Sequence, residues 1–158
     1  MFDDLRDLYQ EVILDHGRKP RNFRRLDDAD RSARGDNPMC GDRLELFLKL
    51  APDGSIADAA FLGRGCAIST ASASLMTEVV KGKSQDAAHA LADRFRTLAM
   101  TGNCPECGAD LADEMERLQP LSGVHEFPSR VKCATLAWHT LNAALDGAPG
   151  QIKEASSE

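Results

Sequence analysis

Apolar side chains recur along this chain with two different periods, and the switch between them predicts the order of elements. Within residues 3–16, Leu5, Leu8, Tyr9, Val12 and Ile13 fall three or four positions apart among charged residues, the pattern of an amphipathic helix. Residues 17–25 break that period with Pro20 and the basic run RKPRNFRR. This stretch reads as a solvated loop, with a docking surface for an acidic partner as the alternative. Leu44, Leu46, Leu48 and Leu50 then alternate with Arg43, Glu45, Phe47 and Lys49, which predicts a half-buried strand. Pro52, Asp53 and Gly54 supply a turn, and residues 56–62 return as the antiparallel partner. The polar stretch 30–36 is read as a third strand.

After Gly63 and Gly65 the period lengthens again. Residues 67–81 are rich in Ala and Ser but place Ile68, Leu75, Met76, Val79 and Val80 toward a core, predicting a helix packed closely along its small-residue face and ended by Gly82. Ser84 is an N-cap for a helix running through Ala88, Leu91, Phe95 and Leu98. A short helix is expected over 111–118. Pro128 opens a last helix in which Val131, Ala134, Trp138, Leu141 and Leu145 recur at helical spacing. The final residues, with Gly, Pro and two serines, read as a frayed tail. There is neither an internal repeat nor a long linker, so the expectation is one domain over 1–146 with a flexible tail over 147–158.

Composition agrees with a single core. A chain of 158 residues buries roughly 70% of the surface its unfolded form exposes. With 42% hydrophobic and 28% charged residues, it is neither disordered nor membrane-spanning in character. A net charge of -6 argues against binding phosphate backbones, which draws on Lys and Arg, so neither nucleic acid nor a membrane is expected as a partner. The opening MFDDLRDLYQ lacks the apolar core of a signal peptide. That predicts a cytoplasmic protein, whose five cysteines sit in a reducing compartment where thiols serve as metal ligands or catalysts more often than as disulfides.

Three cysteines stand where local sequence presents them: Cys40 in NPMCGD, Cys66 in GRGCAIS and Cys133 in RVKCATLAW. Pro38 and Gly41 shape a tight loop around Cys40, and Asp42 points the same way if the chain is extended there. Cys66 follows glycines and opens a helix, whose partial positive charge favours a thiolate. Cys133 lies in the second turn of its helix beside Arg130 and Lys132. Three thiolates and a carboxylate, from Cys40, Asp42, Cys66 and Cys133, can supply the four tetrahedral ligands zinc prefers. Taken singly, each cysteine also reads as a small buried apolar residue.

The segments DHGRKPRN, NPMCGD, GRGCAISTASASLM and FPSRVKCATLAW resemble the signature segments of the SufU/IscU/NifU N-terminal family, in its SufU branch. The resemblance spans all but the tail. It implies an α+β fold, a small three-stranded antiparallel sheet packed against about five to six helices, in which Cys40, Asp42, Cys66 and Cys133 gather to bind one zinc ion. It further implies that Cys40 accepts persulfide sulfur from a SufS-type cysteine desulfurase and passes it to a SUF cluster-assembly complex of the SufBCD type. The alternative is an iron-binding scaffold that builds and transfers a [2Fe–2S] cluster on the same residues. Lys132 stands where the IscU branch carries a histidine, and the long interval from Cys66 to Cys133 is also similar to the SufU branch. Arg130 matches an arginine of that branch and is assigned a supporting role, orienting the site or stabilising thiolate charge. A further expectation is that docking of the desulfurase displaces one zinc ligand and frees Cys40 as the nucleophile.

Cys104 and Cys107 in CPECG depart from the branch pattern. They form half of a zinc or rubredoxin-like site, completed by a second chain or by His89 or His125, or a redox dithiol, or a plain surface turn. His16 is expected as a helix-end cap or surface contact, His89 and His139 as partly exposed, Trp138 as core, and the Ser-rich run as packing without a nucleophile.

Overall fold

The computed structural model describes residues 2–38, 41–104, 109–147 and 152–156. Of five helices, α1 (Phe2–Arg18), α2 (Ala67–Val80), α3 (Gln85–Thr101), α4 (Ala112–Leu118) and α5 (Pro128–Asp146), α2 and α5 pack on a sheet built from β1 (Arg31–Asn37), β2 (Asp42–Leu50), β3 (Ile56–Arg64) and β4 (Ile152–Ser156), and the others pack against those two. The sheet order is β3-β2-β1-β4. The expected antiparallel three-stranded sheet is β1 to β3, with Asn37 opposite Asp42 and Arg43 opposite Arg64.

Alternation in β2 sends Leu44, Leu46 and Leu48 under the helices, where they join Phe61, Met76, Leu91, Leu136 and Leu141 in one core. The opposite face is not uniformly polar. Phe47 is buried there beneath residues 26–29, packed with Leu26 and Ala60, and the Arg25 guanidinium lies 5.6 Å from its ring centroid. The expected cap forms, with the Ser84 hydroxyl accepting from Ala87 N–H at the start of α3, and the far end closes at Gly102, not singled out from the sequence, in a left-handed conformation, φ 81°. Residues 109–111 and 119–126 wind as 3₁₀ helices around α4; the second of these has no counterpart in the periodicity.

Two expectations change. Part of the stretch read as a C-terminal tail forms β4, which runs parallel to β1 from Ser32↔Ile152 to Asp36↔Ser156. An exposed edge strand offers a row of unpaired backbone groups, and β4 satisfies them on β1. His16, read as a cap or surface contact, is 7% exposed and shares a 2.7 Å hydrogen bond between Nδ1 and Ser74 Oγ on α2. The same hydroxyl accepts from Arg21 N–H, and Asn22 Nδ2 donates to Thr77 Oγ1. The segment DHGRKPRN is thus fastened along α2 by polar contacts, and the chain beyond it pairs with β3 through Arg24 N–H to Phe61 O and Phe61 N–H to Asn22 O. Most arginines of the basic run are paired within the chain: Arg21 with Asp15, Arg24 with Asp58 and Arg25 with Asp27.

Helices α2 and α5 meet through small residues. Ser72 Oγ donates to Ala134 O and accepts from Trp138 Nε1, so the serine run acts as packing that also satisfies buried polar groups. Trp138 stacks on Phe95 with ring centroids 4.9 Å apart. Where α5 crosses β1, a Cβ at Gly35 would overlap Thr140 Oγ1 and press on Leu136 Cδ1. Gly35→Ala should cost about 1–3 kcal/mol in chemical denaturation. Adding Thr140→Ala should recover part of that loss, because the overlapping hydroxyl is gone; equal stability of Gly35→Ala and the parent would show that α5 does not lie this close.

Burial, reinforced by the charge of Arg21, holds the pKa of His16 below its ordinary value of 6.5 against the opposing charges of Glu78, at 4.0 Å, and Asp15; His139 is lowered in the same direction, also mainly by burial. The unfolded chain therefore binds more protons than the folded one once the pH falls below about 6.5. Stability should be full above that pH and decline as it is lowered toward the folded-state values. His16→Gln should flatten the part of the decline that belongs to His16, measured as denaturation midpoint against pH, leaving the share due to His139.

Candidate metal centre

Three strand ends and two helix starts converge at one corner of the sheet. Asn37 closes β1, Asp42 opens β2, and β3 runs out through Gly65 into Cys66, which is the N-cap of α2. Cys133 comes down from the second turn of α5. Ligand atoms of Asp42, Cys66 and Cys133 all lie within 4.8 Å of one another. Asp42 and Cys133 are fully buried, while Cys66 is partly open.

The carboxylate of Asp42 is held by neutral donors. Oδ1 accepts from Cys66 N–H at 3.0 Å, and Oδ2 faces Asn37 Nδ2 at 3.4 Å. The Asn37 amide, 1% exposed, also points a donor at Cys133 Sγ, 3.7 Å away. Cys66 Sγ accepts from Ser69 N–H at 3.5 Å, so the first turn of α2 directs a backbone dipole at the sulfur. In its thiol form Cys133 reaches Ser129 O. Arg130, in the first turn of α5, stands over the pair of sulfurs. The negative charge of Cys66, then of Cys133, raises its pKa above the usual arginine value, and hydrogen bonds to both sulfurs add to this.

Two sulfurs and a carboxylate brought together under cover suit a borderline-soft divalent ion such as zinc. As thiolates and a carboxylate these groups would carry negative charge that a bound cation would pair, and a charge taken out of water is costly unless paired. The donor set therefore fits zinc, which Asp42, Cys66 and Cys133 could hold between them. Of the residues expected to share this site, Cys40 lies outside the described residues, and Arg130 is present at its rim. Asn37 and Gly65 were not singled out from the sequence. Asn37 was legible only as the first letter of NPMCGD, and Gly65 only as a helix-opening glycine.

The cysteine pair of CPECG is not part of this corner. Cys104 is disulfide-bonded and packs against the core after α3, while Cys107 lies outside the described residues. His89 bonds Asn142 Oδ1 at 2.8 Å and His125 bonds Ser122 O at 2.8 Å. Among the described residues, Asp42, Cys66 and Cys133 form the one cluster of three or more such ligands.

Comparison with known proteins places the chain in a family. The model of the NifU-like N-terminal domain matches residues 8–155. The chain belongs to the NifU-like N-terminal domain family. Within it, the chain is 44% identical over 143 residues to the zinc-dependent sulfurtransferase SufU of Bacillus subtilis, covering 90% of this chain and 92% of that protein. It is 41% identical over 141 residues to the iron–sulfur cluster assembly scaffold protein IscU of Streptococcus pyogenes serotype M1, covering 89% and 84%. A crystal structure from Fervidobacterium islandicum AW-1, described as a scaffold protein for the SUF system, superposes with a TM-score of 0.77 at 30% identity, over 86% of this chain and 95% of that one. Relatives of this NifU-like domain thus carry both the scaffold and the sulfurtransferase names.

A Cβ at Gly65 would overlap Asp42 Oδ1. Gly65→Ala should push the carboxylate off its position and weaken zinc binding by about tenfold or more, read by competition against a chromophoric chelator. An unchanged affinity would remove Asp42 from the ligand set.

Proposed function

We propose that this protein is a zinc-dependent sulfurtransferase of iron–sulfur cluster assembly, accepting persulfide sulfur from a SufS-type cysteine desulfurase and passing it to SUF assembly machinery of the SufBCD type. The observation that carries the reading is the Asp42–Cys66–Cys133 cluster, buried except at Cys66, in a chain that also has a cysteine two residues before Asp42. Identity to the Bacillus subtilis sulfurtransferase supports it, as does Lys132 in the place where a histidine ligand would stand in an IscU-type chain. Among the described residues no helix is long and apolar enough to cross a membrane, and a cytoplasmic site of action is part of the proposal.

Asp42, Cys66 and Cys133, with Cys40, would hold the zinc. When bound, zinc stabilises sulfur as thiolate at neutral pH. Each residue then has a separate task. Asn37 and the Cys66 N–H fix the Asp42 carboxylate in one orientation. Arg130 offsets negative charge at the rim. Cys40 is the acceptor: its thiolate attacks the outer sulfur of the desulfurase persulfide, forming a new S–S bond while the desulfurase cysteine leaves as thiolate with the electron pair of the broken bond. The persulfide sulfur, and any proton on it, stays on Cys40 for the next transfer. No oxidant or reductant is required.

Sulfur transfer from ³⁵S-cysteine through a SufS-type desulfurase should label the parent chain and not Cys40→Ala, with desulfurase stimulation lost in the same variant. Labelling of Cys40→Ala at the parent level would end the sulfurtransferase reading. Asp42→Cys should bind zinc more tightly, because a thiolate replaces a harder oxygen ligand, and turn over more slowly. Equal turnover with tighter zinc would remove the carboxylate from that role. The scaffold alternative predicts iron and labile sulfide on the purified chain without stimulation.

A further inference from the structure

The face of the sheet turned away from the helices holds a groove of about 770 Å³ whose walls include Phe23, Arg34, Arg43, Glu45, Leu62 and Arg64. One end of it lies at the strand ends that carry the metal centre, since Arg43 follows Asp42 and Arg64 precedes Gly65 and Cys66, on the opposite face of the sheet from the Asp42 carboxylate. At that end the charges are unbalanced. Arg43 and Arg64 stand directly opposite each other across β2 and β3, an arrangement that is destabilising for like charges. Arg34 is matched by Glu45 at 3.2 Å, and Arg43 has only a loose approach to Asp36, 3.8 Å. Arg64 has no ion pair among the described residues. A chain carrying a net charge of -6 thus places an undercompensated cationic pair beside its reactive corner.

Two other features narrow the occupant. The groove lies on a face of the sheet and not along an edge, with residues 22–24 bonded to β3 at Phe61 and β4 paired with β1, so a partner seated in it meets side chains. Phe23, 45% exposed, stands edge-on to Phe61 with ring centroids 5.2 Å apart and offers an apolar contact at the same groove. We propose that the groove docks an acidic segment of the sulfur-donating protein, with its carboxylates on Arg43 and Arg64 and an apolar side chain on Phe23. Bound there, the donor lies next to the strand ends that carry Asp42 and Cys66. The inference rests on the sulfurtransferase reading for the identity of the donor.

The test is calorimetric binding of a purified SufS-type desulfurase to the zinc-loaded full chain, alongside ³⁵S transfer. Arg43→Glu/Arg64→Glu should weaken binding at least tenfold and flatten its dependence on ionic strength. Arg43→Gln/Arg64→Gln should lose about threefold, and both variants should retain one zinc per chain and a cooperative melt. Arg96→Glu, a charge reversal on an exposed position of α3, should stay within twofold of the parent. Affinity of the double-Glu variant within threefold of the parent, an equal loss in Arg96→Glu, or no binding by the parent would overturn the docking proposal. A parent chain that binds the desulfurase but accepts no sulfur would instead overturn the sulfurtransferase reading, leaving the charge reversals to decide the groove.

Discussion

The structure depends on a carboxylate buried without a buried cationic side chain to match it. Asp42 is fully enclosed at the start of β2, and its hydrogen-bond donors, the Asn37 amide and the Cys66 backbone, are neutral. Neutral donors orient a carboxylate but do not cancel its charge, and two sulfurs within reach add to the demand for a cation. Arg130 answers that demand only from the exposed rim. A divalent ion held by these three residues would meet it from within, and for that reason the corner is read as a candidate metal centre rather than a polar core.

The rest of the fold serves to bring that corner together from distant parts of the sequence. Antiparallel register sets Asn37 against Asp42 and carries β3 back to deliver Cys66 to the same end. Helix α5 brings Cys133 there only because it can lie close on β1 at Gly35 and lock to α2 through Ser72. Gly65 leaves room for the carboxylate that a side chain would occupy. The partial exposure of Cys66 leaves the corner open on one side.

Much of this was legible in the sequence, and the exceptions have physical causes. Period-two alternation located β2 and the turn after it placed β3, and Gly82, Ser84 and Pro128 marked helix boundaries because capping is local chemistry. Asp42, Cys66 and Cys133 were singled out by their neighbours and do converge. Burial of His16 was not legible, since it depends on Ser74 some 58 residues away along the chain, a tertiary contact with no local signature. Strand β4 escaped for a similar reason: its pairing is decided by the open edge of β1 and not by its own pattern. Phe47 sits on the nominally polar side of β2 because residues 26–29 fold over it. Asn37 was hidden inside a motif whose cysteine and aspartate drew the chemical reading.

The central claim is the composition of the metal shell, and X-ray absorption at the zinc edge of the purified full chain tests it most directly. The account predicts one zinc per chain with three sulfur ligands and one oxygen ligand, falling to two sulfurs in Cys133→Ser. An all-sulfur shell, a shell with a nitrogen ligand, or a spectrum unchanged by Cys133→Ser would contradict it.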